Sequence, residues 1–83
     1  MEESAIFEQV KKATAEVLRI PQEKITMESR FREDLGADSL DLVSLLMMLD
    51  DELGTTLPDE REAKIGTVGD AVRFVKKHLD ATP

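Results

Sequence analysis

The sequence predicts an all-α fold, a small bundle of three main helices plus one short helix, in a single domain spanning residues 1–83. Three observations carry that reading. Apolar residues recur at three- and four-residue spacing in three separate stretches. Gly36, Gly54, Gly66, Gly69, Pro21 and Pro58 stand at the edges of those stretches, where helices start and stop. No stretch alternates apolar and polar residues as a half-buried strand does, and there is no internal repeat or low-complexity tract. A chain of 83 residues buries roughly 60% of its unfolded surface or a little more, enough for one core. It contains no cysteine, so neither disulfides nor a thiolate metal site hold that core together.

The first helix is written in Ile6, Phe7, Val10, Ala13, Thr14, Val17 and Leu18, which share one face at helical spacing. Ser4 is its candidate N-cap, Glu8 with Lys11 and Lys12 supplies charge pairs on the wet side, and Pro21 closes the segment. From Arg19 to Asp38 the periodicity fails, and so long a loop in a small domain needs anchors. Ile20, Ile25, Phe31 and Leu35 can drop into the core at intervals, and Gly36 permits a sharp turn before the next helix. The second helix is predicted over Ser39 to Leu53, with Gly54 as its stop. After the connector from Thr55 to Glu60, Pro58 can open a short helical turn through Ile65, which Gly66 ends. Thr67 then caps the last helix with Asp70 as its capping-box partner, and Val68, Ala71, Val72, Val75 and Leu79 form the apolar face. Lys76, Lys77 and His78 are expected in the final turn, where the helix dipole favours cations.

Net charge is −7, but its placement says more than its size. Residues 33–62 hold ten acids against the single base Arg61, a local charge of −9, while the rest of the chain sums to +2. Such a concentrated patch attracts basic protein surfaces and repels nucleic acid phosphates, so no nucleic-acid partner is expected. The longest unbroken apolar run, Leu45 to Leu49, is far short of a membrane span, and Met1-Glu2-Glu3 lacks the basic and apolar blocks of a signal peptide. A cytoplasmic chain without a membrane anchor is the expectation, free-standing and monomeric.

Wound at 100° per residue, the second helix separates its apolar residues into two groups. Leu42, Leu45, Leu46, Leu49 and Leu53 lie on one broad side suited to a core. Leu40, Val43 and Met47 form a second stripe flanked by Asp41, Ser44 and Asp51. Apolar groups interleaved with carboxylates suit docking of a basic and apolar partner, although patterning alone equally allows a wide core face with Met47 and Met48 filling gaps.

At the mouth of this helix stands Asp34-Leu35-Gly36-Ala37-Asp38-Ser39-Leu40-Asp41. Ser39 is placed where backbone N–H groups lack intrahelical acceptors and the dipole favours negative charge, so a phosphate ester there is well tolerated. The plain alternative is that Asp38 or Ser39 is only a helix cap. Two further segments, Leu57-Pro58-Asp59-Glu60 and Lys64-Ile65-Gly66-Thr67-Val68-Gly69-Asp70, join the first in a pattern that resembles acyl carrier proteins from about Ser4 to Leu79. Leu-Gly-Ala-Asp-Ser-Leu favours the acyl over the peptidyl branch.

The resemblance implies that Ser39 bears 4'-phosphopantetheine, donated from coenzyme A by a separate phosphopantetheinyl transferase, and that acyl groups ride on the arm's thiol as thioesters. It implies that Asp38, Leu40, Asp41, Val43, Met47, Asp50, Asp51 and Asp59 meet the transferase and acyl-processing enzymes through the partners' basic patches. It also implies that Phe31, Leu45, Leu49 and Ile65 line a cavity for the acyl chain. The family usually has glutamate where this chain has Ser44, and often an aromatic followed by acidic residues where it reads Leu53-Gly54-Thr55-Thr56. Those departures leave both general fatty-acid enzymes and a dedicated set of another pathway open as partners.

No catalytic residue is expected. Ser39 has no base within its motif, and His78 reads as a helix-terminal residue. Asp50-Asp51-Glu52-Leu53-Gly54 lacks the ligand spacing and closing glutamate of an EF-hand, so no metal site is expected, and no glycine-rich phosphate loop is present. The competing class is an unmodified acidic helical adaptor that binds basic partner proteins through the second helix.

Overall fold

The computed structural model describes residues 2–54 and 65–81. Among the described residues three helices, α1 (Glu3–Leu18), α2 (Ser39–Leu53) and α3 (Val68–Ala81), carry the fold, with a 3-10 turn at Gln22–Lys24. The described residues contain no strand, only an isolated antiparallel bridge between Arg30 and Thr67. The short helix expected between Pro58 and Ile65 falls, but for Ile65, outside the described residues.

Helix α1 packs against both α2 and α3. Ile6, Val10 and Ala13 from α1 meet Leu42, Leu45, Leu46 and Leu49 from α2 and Val68, Ala71, Val72 and Val75 from α3 in one buried cluster, which also takes in Ile25, Phe31, Ala37 and Ile65. These are the faces that the three-and-four spacing predicts; Leu53 and Leu79 lie only partly buried at the margin. Thr14 is also buried, and its hydroxyl donates to the Val10 carbonyl at 2.7 Å, so no polar group is stranded there.

Three local expectations change. Helix α1 begins at Glu3 with Glu2 as its extended N-cap and no side-chain bond, so Ser4 is inside the first turn and not the cap. At its other end Arg19 adopts the left-handed conformation (φ 58°), and Ile20 N–H reaches back to the Ala15 carbonyl at 3.1 Å, closing the helix before Pro21. Helix α3 runs on through Ala81, because no glycine or proline interrupts it sooner, and only His78 of the three expected bases falls in its last turn.

The long connection from Arg19 to Asp38 is held by backbone pairing as well as by its apolar anchors. Gly69 N–H donates to Met27 O at 2.8 Å, Val68 N–H to Ser29 O at 2.9 Å, and Phe31 N–H to Gly66 O at 3.0 Å. The first two of these bonds also solve a problem at the start of α3, whose first N–H groups have no intrahelical acceptors. Asp70 N–H is taken by Thr67 Oγ1 at 3.1 Å, and the Asp70 carboxylate accepts in return from Thr67 N–H at 3.1 Å, which is the predicted capping box. Loop carbonyls and one cap thus satisfy every donor of that first turn. Gly69 suits a close approach: a Cβ there would stand 3.0 Å from the Met27 carbonyl oxygen, a tight contact.

Beyond Phe31 the chain folds back on itself. Asp34 N–H and Leu35 N–H both donate to Arg30 O, Ala37 N–H donates to Phe31 O at 2.8 Å, and Gly36 takes the left-handed conformation (φ 72°) that lets the chain swing into α2. The Asp34 carboxylate accepts from Arg30 N–H at 2.9 Å, and that bond holds its carboxyl below the ordinary aspartate value.

Asp70 is held below the ordinary value of 3.8 as well, first by the Thr67 N–H bond, which outweighs the opposing effect of partial burial. A carboxyl depressed in the folded state contributes stability above its unfolded value, and that contribution disappears as pH falls through the folded value. Melting temperature is therefore expected to drop as pH is lowered below about 4, and less steeply in Asp70→Asn, which has no proton to take up there. Parallel acid melting curves for the two proteins would remove Asp70 from this account.

Candidate functional site

Helix α2 opens on Asp38, whose extended backbone (φ −106°, ψ −175°) makes it the N-cap. Its Oδ1 accepts from Asp41 N–H at 2.9 Å while Asp41 Oδ2 accepts from Asp38 N–H at 3.1 Å, a reciprocal capping box. Ser39 is the first helical residue, and because Asp38 does the capping its hydroxyl is left exposed with no backbone to cap. Of the plain alternatives, capping belongs to Asp38. Among the described residues, the N–H groups of Ser39 and Leu40 meet no hydrogen-bond acceptor, in contrast to the filled first turn of α3. The helix mouth beside the serine is open to an anion.

One side chain does reach Ser39. Arg32, seven residues upstream on the turn after Phe31, donates from Nη2 to Ser39 Oγ at 2.9 Å. The sequence reading missed this residue. Its signal was a lone base in the run Phe31-Arg32-Glu33-Asp34, but nothing in periodicity tells which way an exposed loop arginine turns.

The second stripe of α2 is exposed as patterned. Leu40 is 76% accessible, Met47 63% and Val43 39%, against 0–6% for Leu42, Leu45, Leu46 and Leu49 on the core side. That contrast removes the reading of Leu40, Val43 and Met47 as core. Ser44 and Asp51 are exposed beside them, while Asp41 and Asp50 are half-buried. Asp41 thus has a structural part, as capping-box partner, besides any docking part. Asp59 lies outside the described residues.

Phe31, Leu45, Leu49 and Ile65 are all buried in the common core. A narrow seam under the start of α2 is lined by Thr14, Leu18, Phe31, Ala37, Leu42 and Leu45 among others, too tight to admit water. It gathers Phe31 and Leu45 but not Leu49 or Ile65. Among the described residues no group of three or more His, Cys, Asp or Glu side chains is arranged to hold a metal ion, and no helix is long and apolar enough to cross a membrane.

The start of α2 thus brings together an exposed serine hydroxyl, one arginine and a flanking apolar and acidic helix face. Residues 8–75 match the family model of the phosphopantetheine attachment site, and the chain belongs to that family. It is a phosphopantetheine carrier of the acyl-carrier-like kind, and its cofactor is covalently bound 4'-phosphopantetheine. The residues present suit that group: a free hydroxyl to esterify, two unsatisfied N–H groups and a guanidinium for the phosphate charge.

Because the cap and the hydroxyl belong to different residues, their removal is expected to differ. Asp38→Ala should cost about 0.5–2 kcal/mol of stability. Ser39→Ala, an exposed change away from the cap, should stay within about 0.5 kcal/mol of wild type. Urea unfolding of the two variants checks this, and equal losses would mean that Ser39 shares the capping.

Proposed function

We propose that Ser39 is the attachment point and that the chain presents acyl intermediates to the enzymes of fatty-acid or related polyketide or specialised biosynthesis. The observation that carries this reading is the division of labour at the start of α2, where Asp38 caps and Ser39 is left exposed with its hydroxyl outward. In attachment, a bond forms between Ser39 Oγ and the phosphorus of the phosphopantetheine half of coenzyme A, the phosphoanhydride bond breaks, adenosine 3',5'-bisphosphate leaves, and the hydroxyl proton passes to a base of the transferase. When bound, the group supplies a terminal thiol that carries acyl chains as thioesters, chemistry that a cysteine-free chain lacks.

The chain's own residues then serve recognition. Leu40, Val43 and Met47 offer apolar contact beside Ser39, and Asp38, Asp41, Asp50, Asp51 and Asp59 supply the negative field that draws in basic patches of the transferase and of acyl-processing enzymes. Phe31, Leu45, Leu49 and Ile65 are the buried side chains whose separation would admit an acyl chain between the helices. The chain itself works as a monomer in the cytoplasm, since a shuttle must expose this face to many enzymes in turn.

Incubation with coenzyme A and a broad-specificity phosphopantetheinyl transferase is expected to add the mass of one prosthetic group, and Ser39→Ala is expected to gain none. A wild-type mass that stays unchanged would return the chain to the acidic-adaptor reading.

Asp51 tests the docking face more cleanly than Asp41, whose replacement also breaks the capping box. Asp51→Lys should slow attachment at about 20 mM salt and flatten the fall in rate towards about 500 mM, because steering by exposed charges is screened there. Identical rates at low salt would exclude Asp51 from docking.

A further inference from the structure

The position of Arg32 is unexpected on electrostatic grounds. It stands at the edge of the −9 segment, with Glu33 and Asp34 next in sequence and Asp38 beside the serine it bonds, yet among the described residues it makes no ion pair. The reason lies in how those carboxylates are already used. Arg30 takes both near ones, with Nη1 at 3.1 Å from Glu33 Oε2 and Nε at 3.4 Å from Asp34 Oδ2. Asp38 and Asp41 are turned onto each other's backbone N–H groups in the capping box. Arg32 is left to bond a neutral hydroxyl, Ser39 Oγ, through one of its five N–H donors.

A guanidinium on a neutral hydroxyl makes a weaker bond than on an anion, and its planar fork is shaped for two oxygens of a phosphate or carboxylate. Esterification of Ser39 puts a phosphodiester, with a full negative charge on its two non-bridging oxygens, at the oxygen that Arg32 already touches. The adjoining N–H groups of Ser39 and Leu40 lack acceptors, so the same spot offers main-chain donors to that charge as well. Resting on the assignment of Ser39 as the attachment point, we propose that Arg32 is a positioning residue for the prosthetic group: it pairs with the phosphodiester anion and fixes the root of the arm against the start of α2.

Two consequences follow from such a clamp. The direction in which the arm leaves the protein is set by the loop after Phe31 as well as by the helix, so the seam lined by Phe31 and Leu45 lies beneath the fixed end. The clamp is also salt-sensitive, since both partners are exposed and their attraction is screened.

Phosphorus NMR of the loaded protein tests this directly, because the single phosphodiester reports its own surroundings. Wild type, Arg32→Gln, Arg32→Lys and a remote control, Arg73→Gln on α3, are loaded with phosphopantetheine and compared with a short unfolded peptide bearing the same modified serine. Arg32→Gln is expected to shift the resonance towards that of the peptide, Arg32→Lys to lie between it and wild type, and Arg73→Gln to coincide with wild type. Raising salt to about 1 M should move the wild-type line towards that of Arg32→Gln. A resonance that is the same in wild type and Arg32→Gln overturns the assignment of Arg32 and leaves that of Ser39 standing. A chain that takes up no prosthetic group overturns both. Arg32 is exposed and outside the core, so thermal melting of the variants should match wild type and separate loss of the clamp from loss of the fold.

Discussion

The antiparallel contact between residues 27–31 and residues 66–69 is the constraint on which the rest of the structure depends. Three main-chain bonds, from Gly69, Val68 and Phe31, tie a long connection to the start of a helix distant in sequence. The Gly69 and Val68 bonds do double duty, since a loop of this length needs fixed points and a helix start needs acceptors. With residues 27–31 pinned, the Phe31 side chain is driven into the core and the chain must turn back over Ala37 to reach α2. That return path brings Arg32 to Ser39. The site is thus built on a loop, but on one tied at several points by main-chain bonds.

The two helix starts display opposite solutions to one problem. In α3, loop carbonyls and the Thr67–Asp70 box consume the donors, and a Cβ at Gly69 would crowd the Met27 carbonyl. In α2, the Asp38–Asp41 box takes only the donor at the third position and leaves the first two open. Filling a helix start favours stability; leaving it open favours an anion. The same capping chemistry therefore produces a closed end in α3 and one open to an anion in α2, and the difference lies in whether a loop crosses the mouth.

Much of this was legible in the sequence because it depends on periodicity and on short-range rules. The helix boundaries at Ser39, Leu53 and Gly54, the core face of α2, the exposed stripe of Leu40, Val43 and Met47, the anchors Ile25 and Phe31, the turn at Gly36 and the box at Thr67 all follow from spacing of a few residues. The Asp38–Asp41 box obeys the same three-residue rule as Thr67–Asp70. What was not legible depends on contacts distant in sequence or on torsions of exposed side chains. The pairing of Met27 and Ser29 with the start of α3 is carried by main-chain atoms that every residue type possesses. The direction taken by Arg32 is decided by which carboxylates Arg30 has already engaged. The left-handed Arg19 runs against residue preference and is imposed by the need to end α1 before Pro21.

The acidic segment is better understood as two populations than as one field. Asp34, Asp38 and Asp41 spend their carboxylates on main-chain N–H groups and so shape the approach to Ser39. Asp51 is exposed along the helix beside Met47 and Ser44, where a partner can meet it. Carboxylates committed to main-chain N–H groups of their own chain hold local geometry, whereas an exposed charge interacts through solvent and steers without lasting adhesion. A carrier needs that separation. If the same carboxylates both capped the helix and bound the partner, each docking event would compete with the bonds that place the serine. Apolar contact from Leu40, Val43 and Met47 can then supply part of the binding while screened charge supplies the encounter, which keeps complexes specific and short-lived.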